Sequence, residues 1–334
     1  MTSRSSFLVA ALLVGSAQAQ LWQTPQVTAT QPLLRSFKAD GDVLRAGQAR
    51  IELDRVGQRV IGVYATAPKA NTEEVARAIL AAWGAPEEAV PSLKQVLDDP
   101  GFQKQAAAQL FEEVSEDGAS AVQVRLRDGS WQAYTSLKVY PRDAFPKVSA
   151  PLGDAAAPAQ LDIFSDYQCP YCNQLWHSSN MAEWRSKPSV YRLNYHHFPL
   201  SFHPLALPAA EYSECAADAG RFWEFSDRLN EHFGTWTEQQ GAAARQSFAA
   251  YAVDAGVKQD ALDRCLAQPR TAEIQAGADQ LQRTLGVRGT PSVYLNGIKL
   301  TNYSDAAQIR AIRAVTEAGP GAGKVIEVRL KAMR

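Results

Sequence analysis

The chain has 334 residues, 46% of them hydrophobic and 21% charged, with a formal net charge of −1. That is enough apolar material for two cored domains and excludes a disordered protein. It also leaves no broad basic field to hold phosphates, so nucleic acid is not an expected partner.

Arg4, the apolar run from Phe7 to Gly15 and the small residues Ala17-Gln18-Ala19 have the form of a secretory signal, so residues 1–19 are predicted to direct export to the periplasm or cell envelope. An uncleaved N-terminal anchor is the alternative. Residues 20–32 are polar and aperiodic and are expected to be an extended linker.

A first domain is predicted over residues 33–142. Ile51–Leu53 and Val60–Ala65 read as strands about a turn at Val56-Gly57-Gln58. Asn71 with Glu74 marks a helix start, and Val75, Ile79 and Trp83 recur at helical spacing up to Gly84. Phe102, Ala106, Leu110 and Val114 predict a second amphipathic helix. Val122, Val124 and Leu126 alternate, Asp128-Gly129 turns the chain, and Ala133, Thr135, Leu137 and Val139 resume the alternation. This α+β unit contains no cysteine or histidine. Its expected role is dimerisation or client binding, or else plain stabilisation. Residues 143–159, rich in Pro, Ala and Gly, are expected to link it to a second domain over 160–318, with 319–334 as a tail in which Ile326, Val328 and Leu330 alternate like an edge strand.

Four cysteines in a chain of this length are too few for a disulfide-stapled scaffold. Leu161–Ser165 reads as a strand that delivers Cys169-Pro170-Tyr171-Cys172 to the start of a helix carrying Leu175 and Trp176. Disulfide exchange needs one exposed, ionised sulfur and a second close enough to attack the mixed disulfide formed by the first. The unpaired amides and dipole at a helix start favour a Cys169 thiolate, Cys172 falls nearly one turn later, and Pro170 fits the first helical position. Zinc is the rival use of such a pair, but no second C-x-x-C exists, and Cys215 and Cys265 lie far off in sequence.

Further along, Gly289-Thr290-Pro291 leads into the apolar run Ser292–Leu295 and a turn at Asn296-Gly297. His196, His197 and His203 suggest a metal site only superficially, because neighbouring strand residues face opposite ways. His177 reads as a helix-surface residue. Phe222, Trp223, Phe225, Phe233 and Trp236 read as core packing, with a client groove as the alternative.

The run Phe164-Ser165-Asp166-Tyr167-Gln168-Cys169-Pro170-Tyr171-Cys172, then His197-Phe198-Pro199-Leu200, Phe222-Trp223-Glu224-Phe225 and Gly289-Thr290-Pro291 resemble the DsbA-like branch of the thioredoxin superfamily. The resemblance covers about residues 150–318. It implies an α/β thioredoxin fold with a helical insertion, roughly Trp176 to Arg283 with one strand, Val190–Phe198, inside it. It implies a cis Thr290–Pro291 bond facing the cysteine pair, with Thr290 offering its backbone to an extended client. Some relatives join the helices of the insertion by a disulfide, which the resemblance implies for Cys215 and Cys265; two buried free cysteines are the alternative. No cofactor and no metal are implied.

Two departures stand out. Ile163 occupies the place of an acidic residue that helps move protons in this branch, leaving the proton route to Cys172 open, with Asp162 and Asp166 not obvious replacements. Tyr171 occupies the place of a thiolate-stabilising histidine, which predicts a milder oxidant than the strongest relatives (about −120 mV). The expected activity is oxidation of reduced client proteins, with reoxidation by a membrane-bound redox partner. The rivals are an isomerase or reductase, whose relatives are V-shaped homodimers with smaller first domains, and a non-enzymatic chaperone or adhesion module with a structural 169–172 bond.

Overall fold

The computed structural model describes residues 21–268 and 270–334, so the predicted signal lies outside the described residues. The chain divides into two compact units, residues up to 139 together with 310–334, and residues 140–309. No helix among the described residues is long and apolar enough to cross a membrane.

The first unit is built on one antiparallel sheet. Its strands are β1 (Lys38–Asp40), β2 (Val43–Ala46), β3 (Ala49–Val56), β4 (Arg59–Pro68), β5 (Phe111–Val114), β6 (Ser120–Arg127) and β7 (Ser130–Leu137), in the order β1-β2-β3-β4-β7-β6-β5. The two predicted hairpins are therefore joined through β4 and β7 into a single sheet. Gly57 and the pair Asp128-Gly129 turn at positive φ, as their turns require. Helix Thr72–Trp83 buries Val75 and Ile79 and stops at Gly84, in the left-handed conformation. Asn71, however, makes no side-chain cap; the Thr72 hydroxyl donates to Asp98 Oδ1 instead (2.7 Å).

Three expectations for this unit are corrected. The predicted linker, residues 20–32, is not extended over its described part: Leu21 is fully buried, Trp22 N–H donates to Val60 O (2.8 Å), and Thr24 caps a short helix, Pro25–Ala29. The four-residue spacing from Phe102 to Val114 does not mark one helix. Helix Pro100–Ala108, begun by a proline and capped by Asp99, buries only Ala106, and the chain then turns into β5, where Phe111 packs edge-on against Phe102 (5.3 Å). The C-terminal alternation marks no strand. Residues Ala322–Met333 form a helix in which Ile326 and Met333, seven apart, are buried while Val328 is 58% exposed, a helical rather than a two-residue period. Its Arg329 bonds Asp54 through two nitrogens (2.6 and 3.0 Å), reaches Glu52 (3.1 Å) and lies over the Tyr64 ring (4.4 Å). The tail thus belongs to the first unit.

The second unit holds a four-stranded sheet: β8 (Ala159–Ser165), β9 (Tyr191–His197), β10 (Ser292–Leu295) and β11 (Ile298–Lys299), in the order β11-β10-β8-β9. β9 runs parallel to β8, and β10 antiparallel to it. Among the described residues, eight helices between 170 and 285, from Pro170–Trp176 to Thr271–Leu285, surround and extend this sheet. This is the thioredoxin-like fold with a helical insertion that the resemblance implies. Residues 143–159 are not a free linker. Phe145 packs into the core with Phe164 and Tyr294, and Leu152 exchanges both backbone hydrogen bonds with Leu193 (2.9 and 2.8 Å). At the far end of β10, Asn296 and Gly297 turn at positive φ; a side chain at Gly297 would sit 2.1 Å from Tyr140 O, so only glycine fits.

Candidate functional site

β8 ends at Ser165, and four residues, Asp166 to Cys169, carry the chain to helix Pro170–Trp176. The loop is pinned by one buried carboxylate. Asp166 accepts from the amides of Gln168 (2.7 Å) and Leu200 (2.9 Å) and from His203 Nδ1 (2.8 Å), while its carbonyl accepts from Cys169 N–H (3.1 Å). Burial raises the Asp166 pKa, and these hydrogen bonds offset part of the rise. The signal for this latch was present locally, since Asp two residues before a free amide is an Asx turn, but the His203 partner lies 37 residues away and has no local signature.

Cys169 takes the N-cap position in extended conformation, and its carbonyl accepts from the amides of Cys172 and Asn173 (both 3.1 Å). Pro170 opens the helix, where its missing N–H costs nothing. On the other side, the Thr290–Pro291 bond is cis, and Thr290 O lies 3.5 Å from Cys169 Sγ, so the proline loop meets the cysteine pair. The Thr290 hydroxyl is buried without a hydrogen-bond partner among the described residues. Cys172 lies behind, with its sulfur 3.5 Å from the Asp166 amide.

The expectation of an exposed attacking sulfur is corrected. Cys169 is 4% exposed and Cys172 5%, because the Thr290 loop lies against the first and the end of β8 against the second. The two are not equally deep. The contact of Cys169 with Thr290 is partly open, and its neighbours Pro170 and Tyr171 are exposed, Tyr171 by 62%.

The two sulfurs are electrostatically opposite. A hydrogen bond from the Cys172 thiol lowers the Cys169 pKa to about 5, working against burial and helped by Thr290 and the amides of Cys172 and Tyr171. Burial, and then the neighbouring Cys169, push the Cys172 thiol well up. At neutral pH the pair is therefore one thiolate and one thiol sharing a proton between them. Alkylation of reduced protein by iodoacetamide should accordingly rise with pH about a midpoint near 5 and level off above it. Restricted access scales that curve without moving its midpoint. A midpoint near 8.5, the value of a free thiol, would contradict this electrostatic picture.

The remaining candidates sort themselves by contact. His196 bonds Asp162 (2.9 Å) and stacks on Phe164, while His197, facing the other way, bonds Glu214 (2.9 Å). Asp162 also pairs with Arg142, while the neighbouring Ile163, on the opposite face of β8, is fully buried. His177 is exposed and touches Asn230 O (3.3 Å), away from the pair. Phe222, Phe225 and Trp236 are buried, and Trp223 stacks on Trp176 under the Arg185 guanidinium. Cys215 and Cys265 are joined by a disulfide between helices Ala206–Asp218 and Gln259–Leu266.

The family model described as Thioredoxin matches residues 147–313, half of the chain. The curated relatives include a Na(+)/H(+) antiporter NhaA 1 of Salinispora arenicola, 33% identical over 150 residues that make up 43% of this chain and 21% of that protein. A Na(+)/H(+) antiporter NhaA 1 of Mycolicibacterium vanbaalenii is 28% identical over 162 residues, 47% of this chain and 25% of that protein. The chain thus spans about a quarter or less of the length of these relatives. Among solved structures, BdbD of Bacillus subtilis aligns at 19% identity with a TM-score of 0.42, covering 58% of this chain and 96% of that one. The α-DsbA1 protein of Wolbachia pipientis aligns at 20% identity with a TM-score of 0.41, covering 54% and 93%.

Proposed function

The chain belongs to the thioredoxin family, and from that premise we propose that it is an exported, DsbA-like thiol-disulfide oxidoreductase that passes a Cys169–Cys172 disulfide to reduced client proteins. The observation that supports this reading most is the placing of Cys169 at a helix start, against Thr290 O, with Cys172 one turn behind it. A client thiolate attacks Cys169, and Cys172 leaves as a thiolate and takes up a proton. A second client thiolate then attacks its own sulfur in the mixed disulfide, the client disulfide forms, and Cys169 departs as a stabilised thiolate. Two electrons pass from client to enzyme, and a membrane-bound partner withdraws them.

An extended client segment would pair with the backbone at Thr290 by strand addition and displace the cover of Cys169 as it docks. Tyr171 and Phe202, exposed by 62% and 72%, offer apolar surface for the segment to rest on. Tyr171 in place of a histidine supports a moderate oxidant, as does a Cys169 pKa lying between those of a strongly oxidising relative, about 3.5, and of thioredoxin, about 7.

Redox titration against glutathione should therefore return a potential between about −120 and −270 mV. The protein should also oxidise reduced ribonuclease faster than it restores scrambled ribonuclease. A potential below about −300 mV would mean a structural bond and end this reading. Efficient recovery of scrambled ribonuclease would replace oxidase by isomerase.

A further inference from the structure

Each exchange makes Cys172 a thiolate, whether it leaves the disulfide or attacks to restore it, and it does so where it is shut away from bulk water. An anion formed there is stabilised only by donors already fixed in place. The backbone amide of Asp166 is such a donor, reaching the Cys172 sulfur at 3.5 Å.

We propose that Asp166 and His203 are positioning residues for the exchange, holding that amide against the Cys172 sulfur so that its thiolate is stabilised as it forms. The amide belongs to the four residues between β8 and helix Pro170–Trp176, and an untied connection of this kind would let it swing. The Asp166 side chain prevents this. It is buried, and one oxygen accepts from the Gln168 amide (2.7 Å) inside the connection. The other accepts from the Leu200 amide (2.9 Å) and from His203 Nδ1 (2.8 Å), both in the stretch after β9. The same stretch is tied on either side of Asp166, since the Phe198 amide donates to Ser165 O (2.9 Å) and the Leu205 amide to Gln168 Oε1 (2.7 Å). The Asp166 carbonyl accepts from the Cys169 amide (3.1 Å), so one residue touches both cysteines.

The arrangement also turns the acid the right way. A carboxylate facing a sulfur anion would oppose it, but here the carboxylate faces His203 and the amide faces the sulfur. Burial pushes the Cys172 thiol well up, and the Asp166 amide works against that rise. His203 stands at the open edge of the arrangement, its side chain 17% exposed and its ring edge-on to the exposed Phe202 (4.5 Å). It can therefore be replaced without opening the core.

This assignment rests on the exchange reading above. The test uses reduced full-length protein and oxidised glutathione, whose two steps are separable by rapid acid quench and mass spectrometry. In the first, the Cys169 thiolate forms a mixed disulfide and releases one glutathione thiolate. In the second, Cys172 loses its proton to the buffer, attacks the Cys169 sulfur and releases the other glutathione thiolate. His203→Leu and Asp166→Asn should each slow the second step about tenfold. The first step should hold, because the Cys169 thiolate draws its support from Cys172, Thr290 and Tyr171. His203→Asn, whose side-chain amide can donate from the place of Nδ1, should return the second step to within about threefold of wild type. Unchanged second-step rates in both His203→Leu and Asp166→Asn would overturn the assignment. So would equal slowing of both steps, or a His203→Asn variant as slow as His203→Leu. A wild type that never forms the mixed disulfide would instead remove the exchange reading itself, and the assignment with it.

Discussion

Replacing Cys169 by serine is expected to abolish oxidation of reduced ribonuclease, a loss of at least a thousandfold; Cys172→Ser, left with the Cys169 thiolate alone, should attack the disulfides of scrambled ribonuclease, release one ribonuclease thiolate and accumulate the mixed disulfide. The asymmetry follows from the site. Cys169 borders the exposed Pro170 and Tyr171 and has its pKa lowered to about 5, whereas Cys172 is shut behind it and pushed well up. A serine alkoxide is far too basic to stand in for the thiolate, so no residual route remains. Non-reducing gels of each variant incubated with scrambled ribonuclease, whose disulfides the free cysteine can attack, beside mass spectrometry of the adducts, distinguish the cases. Adducts carried by Cys172 in the Cys169→Ser variant would assign the attack to the wrong sulfur. Because the Cys172 thiol is also the first support of the Cys169 thiolate, Cys172→Ser should move the alkylation midpoint of Cys169 upward from about 5.

The second large effect is on stability. Replacing Cys215 and Cys265 together by alanine is expected to cost roughly 4 kcal/mol in the chain-entropy account of a closed loop of this size, the two residues being 50 apart. The loop includes helices Phe222–Glu231 and Gly241–Asp254, so the loss should appear in the helical insertion. Denaturant unfolding followed by circular dichroism, with the oxidised wild type and the double variant compared at equal slope, measures the difference. A change under about 1 kcal/mol would mean that packing of Phe225, Trp236 and Phe248 already holds the insertion and the bond adds little.

The active pair and its strand-turn-helix setting were legible because each part has a local signature: a strand period ending at Ser165, a proline at the first helical position, and two sulfurs three apart. The proline loop was legible only through resemblance, since nothing local distinguishes Thr290-Pro291 from an ordinary strand opening. The cover over Cys169 was illegible, because it depends on a loop 121 residues away coming to 3.5 Å. Alternation misled at the C-terminus, where Ile326, Val328 and Leu330 satisfy a strand pattern over five residues, too short a window to exclude a helix whose longer-range partners are Arg329 and Met333. Polarity misled at residues 20–32, where a few anchors, the buried Leu21, Pro25 and Thr28, are enough to bind an otherwise polar stretch. Asp166 with His203, and His197 with Glu214, were invisible as pairs because their spacing obeys no periodicity.

The helix Ala322–Met333 sets an order of events during synthesis. Its Arg329 supplies the counter-charge for Asp54 and Glu52, which the ribosome made some 275 residues earlier. The sheet of the first unit must therefore wait with Asp54 uncompensated, and with Glu52 held by Arg50 alone, while the whole of residues 140–309 is translated and free to fold. Loss of the last dozen residues would then injure the part of the molecule made first and spare the part that carries the sulfurs.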